Sequence, residues 1–504
     1  MSETIERAKA RDSRHSNVQR KPGVAWREWA VLISGGTTVV YLSWGLGGIP
    51  TNSLHAMAIM GGITLLLAII PLPRVCNGSD GEHGNLRNLL RLLALPSFWL
   101  TLLFLGYIAL QNLNHSWEQV RIGSHWWIEA VDPRFAALPS GFKADYNPMN
   151  GWRVFVLMAG AGAFVHGLWV GLRRRQSAVA VLWLFVFSGV GMAIVGMLQF
   201  FTGAEAVLWR FPSENQNFWG SFFYRNQAAG YLNLVLCAAA FLFFYHARRT
   251  LLEERGSGPH LLFFCFLSLI YASVAMSLSR GGFLAASAIL ATFLLLLFLR
   301  FIFNHQAREN WIVSLLVVAL LAGGSWSSVR YVDWESLRDR FDQINLEEMD
   351  SDVRRIATRA TMDMAEKRIL TGWGAGSFRY VFPTFQQNYP EIFYRTYHPV
   401  RGGSGMKFFR YAHNDLAQSL AEYGVIGCAM LVALGLFWLG WLLWAGWRFF
   451  LAVAMIYAGV LAAVGHAFIE FIFQSPSYLF AFSFLLVSST QLLVMESRRR
   501  FSRR

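Results

Sequence analysis

Twelve apolar segments, each near the roughly 20 residues needed to cross a hydrocarbon layer, divide the chain at 28–47, 54–72, 95–111, 152–172, 178–201, 222–246, 261–277, 282–303, 311–325, 424–447, 450–470 and 477–495. In lipid each backbone donor and acceptor needs a partner inside the protein, and a helix supplies it within one segment. The expected fold is therefore an all-α polytopic membrane protein of about twelve transmembrane helices, the ninth being the shortest. Composition leaves little else to build: 55% of the 504 residues are hydrophobic, 15% are charged, and there are 20 tryptophans. That balance excludes a disordered chain and leaves little room for a separate soluble core.

The net charge of +14 would suggest nucleic acid in a soluble protein. Here the arginines concentrate in alternate short connections, at Arg74, Arg87 and Arg91, at Arg173, Arg174 and Arg175, at Arg248, Arg249 and Arg255, at Arg300 and Arg308, at Arg448, and at Arg498, Arg499 and Arg500. By the positive-inside rule that side is cytoplasmic, with both termini. The charge then reports topology, and no nucleic-acid partner is implied. The expected organisation is a disordered basic cytoplasmic tail at 1–27, transmembrane helices 1–9 at 28–324, an extracytoplasmic cap loop at 325–415, helices 10–12 at 416–496 and a basic tail at 497–504. Within the cap, 353–369 has helical periodicity. The first outer loop, 112–151, carries Trp117, Trp126 and Trp127 and reads as an interfacial aromatic belt or short lid. Cys76 falls in a cytoplasmic loop and Cys237, Cys265 and Cys428 in apolar segments, so neither a disulfide nor a Cys-x-x-Cys metal pattern is available.

Chemistry concentrates in 411–427, where His413-Asn414-Asp415 opens a helical pattern at a membrane boundary. Asn414 or Asp415 suits an N-cap, and Asn414, Gln418 and Glu422 share one face. A histidine at a helix N-terminus sits in a positive field that keeps the ring neutral, and the same free N–H groups attract anions. A histidine there can equally be a simple cap. The arginines tilt the balance: Arg280, in Ser277-Leu278-Ser279-Arg280-Gly281-Gly282, and Arg225, beside Asn226 at the start of the sixth span, lie on the side where no topology rule demands charge, as does His413. Charges at such depth usually face a cavity or partner, although either arginine alone could snorkel to the interface. Arg354, Arg355 and Arg359 add positive charge to the cap. The glycine runs at 372–376 and 402–405 read as tight turns, since no parallel-sheet context makes them phosphate loops.

A histidine with several arginines in an interfacial cleft suits a lipid-linked diphosphate. Guanidinium forks neutralise a diphosphate leaving group, and neutral imidazole takes the proton of an acceptor hydroxyl. The acidic residues of the cap lack the spacing of a carboxylate metal site, so a metal-independent reaction without cofactor is expected.

Three motifs carry a resemblance. Ser-x-Ser-Arg-Gly-Gly at 277–282, Arg355 followed by Gly372-x-Gly-x-Gly-x-Phe378, and His413-Asn-Asp-Leu with Glu422-x-Gly424-x-x-Gly427 together resemble the O-antigen ligase and polymerase superfamily. The resemblance implies a C-type membrane glycosyltransferase fold and transfer of a glycan from undecaprenyl pyrophosphate to an acceptor at the outer face of the bacterial inner membrane. It assigns His413 as general base and Arg280, Arg355 and Arg225 as donor-binding, Arg225 through a pattern it shares with Asn226; Asn226, Ser279, Asn414, Asp415 and Glu422 are supporting residues. Ile369 stands where the family carries a proline, which leaves Arg354 as the alternative register for Arg355. The acceptor is a lipid A–core sugar, a growing polysaccharide or a protein hydroxyl. From another class, a lipid-linked sugar transporter would require polar residues at the bilayer midplane and internal repeats. The sequence shows no repeats, and His166, His466 and Glu470 are its main polar candidates near spans. The group that orients His413 is expected from Glu422 through water or from the cap.

Overall fold

The computed structural model describes residues 26–70, 81–213, 217–252, 258–303, 344–394 and 407–501. The chain is mostly helical, and eleven of the twelve expected spans coincide with helices; the ninth, at 311–325, lies outside the described residues. In order these helices are α1 (Trp26–Trp44), α2 (Thr51–Ile69), α4 (Pro96–Leu113), α5 (Gly151–Gly171), α6 (Arg175–Phe201), α7 (Arg225–Leu252), α8 (His260–Met276), α9 (Arg280–Phe303), α13 (Asp415–Gly446), α14 (Phe450–Ala467) and α15 (Pro476–Phe501). A shorter amphipathic helix, α3 (Gly81–Leu93), lies between α2 and α4. Several of the long helices are long and apolar enough to cross a membrane, which makes this a multi-pass membrane protein.

The central helix is α7, apolar on all sides and buried throughout its spanning stretch, as expected of a helix surrounded by others. Two of its polar groups pair with neighbouring segments: Tyr231 with Ser43 at 2.8 Å, and Asn233 Nδ2, which donates to Gly282 O at 2.9 Å. Small residues let backbones approach where the hydrophobic effect gives helices no reason to associate. A Cβ on Gly61 of α2 would meet Gly160 O of α5 at 2.4 Å.

Two ends differ in chemistry. At one, the Glu28 carboxylate accepts from Arg173 N at 3.1 Å, Arg174 N at 2.8 Å and Ser177 Oγ at 2.6 Å, while Glu496 accepts from Tyr245 OH at 2.6 Å and Arg249 Nη1 at 2.9 Å. Part of the arginine excess of that end is thus tied down by two carboxylates. The other end carries a cap of α10 (Ile344–Glu366), α11 (Phe378–Gln386) and α12 (Pro390–Phe393) with three strands, β1 (His115–Ile122), β2 (His125–Ala130) and β3 (Gly141–Lys143). The strands form a sheet in the order β2-β1-β3, antiparallel between β1 and β2 and parallel between β1 and β3. This sheet occupies the tryptophan-rich loop. Trp117, Trp126 and Ile128 pack on the cap core of Phe142, Trp373, Phe378 and Phe382, so two of the three tryptophans belong to a folded cap.

Candidate active site

The cap is joined to the helices at a break in α13. Gly424, at φ 62° and ψ −174°, interrupts the helix. The segment 369–374 crosses the break and pairs with the backbone groups the helix leaves open: Val425 N donates to Ile369 O at 2.8 Å, Ile426 N to Leu370 O at 3.1 Å, Trp373 N to Ala421 O and Gly374 N to Glu422 O, both at 2.9 Å. The Glu422 carboxylate accepts from Gly376 N at 3.1 Å, Phe378 N at 3.2 Å and Gln418 Nε2 at 3.1 Å. Gly372-x-Gly-x-Gly and Glu422-x-Gly424 are thus two halves of one joint, and the glycine run is the tight turn its residues suggest.

This joint fixes the start of α13. Asn414 is the N-cap, its Oδ1 accepting from Leu416 N at 3.1 Å and Ala417 N at 3.0 Å. Its replacement by alanine is expected to cost about 1 kcal/mol, read as a lower midpoint of thermal unfolding in detergent. Asp415 instead latches the connection between α14 and α15, accepting from Phe473 N at 2.8 Å and Gln474 Nε2 at 3.3 Å. Between Ala412 and Asn414 the chain turns sharply, with His413 at φ 54°, a left-handed conformation unusual outside glycine and met at functional sites.

The turn presents the imidazole edge-on to Phe471, centroids 4.8 Å apart, and Phe471 is stacked between Tyr411 at 4.7 Å and Tyr224 at 5.0 Å. His413 Nδ1 faces Glu470 Oε2 at 3.7 Å. The Glu470 carboxylate, 3% exposed, also takes Arg354 Nη1 at 2.9 Å, Asn226 Nδ2 and Tyr224 OH at 3.4 Å. Burial works to raise its pKa, but His413 and Arg354 outweigh burial and hold the carboxyl below its ordinary range. The residue beside the imidazole is therefore Glu470, from the α14–α15 connection, and not Glu422 or a residue of the cap. Glu422 is occupied by the joint.

His413 borders a cavity of about 1460 Å³. Among the described residues, six Arg and Lys side chains line it, Arg121, Arg153, Arg354, Arg379, Lys407 and Arg410, against one acid, Asp415. Arg153 is buried and held by Thr51 Oγ1 at 2.9 Å, Asn147 Oδ1 at 3.0 Å and Ile49 O at 3.0 Å, while Arg379 lies 5.5 Å over the Tyr411 ring. From this basic mouth the cavity continues between α4, α5, α13, α14 and α15 along apolar side chains that include Leu105, Leu157, Leu431, Leu439, Val464 and Leu486. From Leu416 to Leu439 the lining follows roughly 35 Å of α13 at about 1.5 Å per residue, comparable with the hydrocarbon thickness of about 30 Å. Trp438, packed on Trp169 and Trp441 at 4.9 and 5.7 Å, stands toward the far end.

Sequence-predicted residues are divided by this geometry. His413, Asn226 and Asp415 meet at Glu470 or its connection. Arg354, not Arg355, lines the cavity; Arg355 is exposed on the neighbouring position of α10. Arg225 opens α7 beside Tyr224. Arg280 opens α9, where Ser279 Oγ caps Gly282 N at 3.2 Å and a Cβ on Gly281 would meet the His466 ring at 2.9 Å; neither arginine is among the described cavity-lining residues. His166 pairs with Gly162 O at 2.7 Å and Ser97 Oγ at 3.2 Å and also lines the cavity.

A family model described as O-antigen ligase matches residues 263–432, about a third of the chain, from α8 across the cap to the middle of α13. That match supports membership of the O-antigen ligase and polymerase superfamily. With the apolar helices, it supports a membrane enzyme of glycan transfer. The match encloses the Arg280 motif, the glycine joint and His413, but not Asn226 or Glu470. No curated protein matches the chain.

Proposed function

We propose that this protein transfers a glycan from undecaprenyl diphosphate to a hydroxyl of lipid A–core or of a growing polysaccharide, at the outer face of a bacterial inner membrane and without a metal ion. The observation that carries the reading is the single cavity that joins a basic mouth to an apolar trough, with His413 at the mouth. A polyprenyl diphosphate has that division of chemistry: a multiply charged head for guanidinium forks and a long apolar tail. Arg354, Arg379 and Arg410 hold the diphosphate, and the tail lies along α13. With Nδ1 turned to Glu470, His413 offers Nε2 to the acceptor. The acceptor oxygen bonds to the anomeric carbon as the bond from that carbon to the phosphate oxygen breaks; its electron pair leaves on the diphosphate, the hydroxyl proton passes to Nε2, and the anomeric centre inverts. Both termini are cytoplasmic in this reading, because the arginine-rich connections of α5–α6 and α7 lie at the end opposite His413.

Purified protein incubated with lipid-linked oligosaccharide tests the reading. Chain lengthening identifies a polymerase, a single addition to lipid A–core a ligase, and transfer to serine or threonine a protein-directed enzyme. Donor left unconsumed with every acceptor, or moved intact across the bilayer, would point to the transporter class. Arg354→Ala is expected to raise the donor KM about 10- to 100-fold, the loss of one charge-assisted contact of roughly 1.5–3 kcal/mol, measured as initial rates against donor concentration.

A further inference from the structure

The Glu470 carboxylate faces two partners. One oxygen binds Arg354 at 2.9 Å; the other faces His413 Nδ1 at 3.7 Å, close enough for charge attraction and too far for a hydrogen bond. Nδ1 is buried and makes no hydrogen bond, so the ring is near its orienting carboxylate without being locked by it. Arg354 also lines the cavity, where a diphosphate offers the guanidinium more charge and more oxygens than a carboxylate does.

We propose that Glu470 is a positioning residue shared between the donor site and the base: donor diphosphate draws Arg354 away, and the freed carboxylate closes on His413 Nδ1–H. The inference rests on the transfer reaction above. In this scheme the imidazole is oriented as a base only when a donor is present. When Nε2 takes the acceptor's proton, the imidazolium is balanced by a carboxylate that stays ionised throughout. Among the described residues, Tyr224 just ahead of α7, Arg225 at its start, His466 of α14 and Asp415 of α13 also bear on this corner.

The test is the pH dependence of transfer by the full-length protein in lipid nanodiscs. The acid limb of kcat/KM reports the free enzyme and that of kcat the donor complex. In the wild type the limb is expected at higher pH in kcat than in kcat/KM, because the carboxylate moves onto the imidazole. Donor charge alone contributes to that gap, so the decisive quantity is its change in Glu470→Gln. There the gap is expected to shrink, with kcat down about 10- to 100-fold and donor KM within about threefold. Glu470→Asp keeps the charge and is expected to restore the gap at reduced kcat; it decides the matter alone if the glutamine variant does not fold. An unchanged gap in Glu470→Gln, an aspartate variant that behaves as the glutamine one, or a raised KM with unchanged kcat would overturn the proposal. If His413→Ala retains turnover, the base assignment itself fails, whereas an inactive His413→Ala beside an unchanged Glu470→Gln gap overturns only the sharing.

Discussion

His413→Ala is expected to lower glycan transfer about 10³-fold, within the range a positioned general base contributes, while donor binding stays within a few-fold of wild type. The separation follows from geometry. The basic side chains of the mouth come from α5, α10, α11 and the segments around β1 and 407–410, and they do not depend on the imidazole. Phe471 loses one edge contact but keeps its stacking on Tyr411 and Tyr224, so the pocket wall persists. Binding is measured by quenching of tryptophan fluorescence with undecaprenyl diphosphate, and transfer by mobility of the labelled product. Wild-type turnover in the variant would remove His413 from the chemistry.

Gly424→Ala is expected to destabilise the protein on the order of 3–5 kcal/mol, the range reserved for a backbone clash on top of a strained conformation. At φ 62° and ψ −174° the position lies where side-chain-bearing residues are essentially not found, and a Cβ would meet Leu370 O at 2.4 Å. That oxygen is backbone, and it already accepts from Ile426 N, so neither strand of the joint can move without losing pairs. Gly372 is the reciprocal case, its Cβ meeting Glu422 O at 2.4 Å. Gly440→Ala in the same helix, where a Cβ has nothing within 4 Å, is the control and is expected to change stability by less than about 0.5 kcal/mol. Thermal unfolding midpoints of the two variants in detergent, compared with wild type, give the answer, and a Gly424→Ala protein as stable as the Gly440→Ala control would show that the joint is not needed.

Much of the architecture was legible because its cause is local. Hydropathy is a property of each segment, and eleven spans fall where the apolar runs fall. The N-cap at Asn414 and the helical pattern at 353–369, which α10 follows as far as Glu366, come from side chains that act on their own backbone. The small sheet was not legible. Its strands have no clean alternation, since Trp117, Trp126 and Ile128 face the cap core while Trp127 and Ile122 on the other face remain exposed.

The site divides along the same line. His413 stood out in the sequence, because a polar group next to an apolar run is conspicuous wherever it folds, whereas Arg225, Arg280 and Arg355, singled out with it, are not among the described cavity-lining residues. Arg354 over Arg355 was a matter of which way one turn of α10 faces, and one residue shifts a side chain by about 100° around a helix. Arg121, Arg153, Arg379, Lys407 and Arg410 carried no signal, since each stands in an ordinary polar or cap segment and becomes part of a mouth only when five elements converge. Glu470 lies beyond the last motif, at the end of α14, and was equally compatible with solvent. A many-helix membrane protein with a histidine at a membrane boundary and glycines at fixed positions follows from the residues taken alone. That those glycines form one joint across the break in α13, and that the imidazole meets Glu470, depends on contacts between segments distant in the chain, which no local propensity encodes.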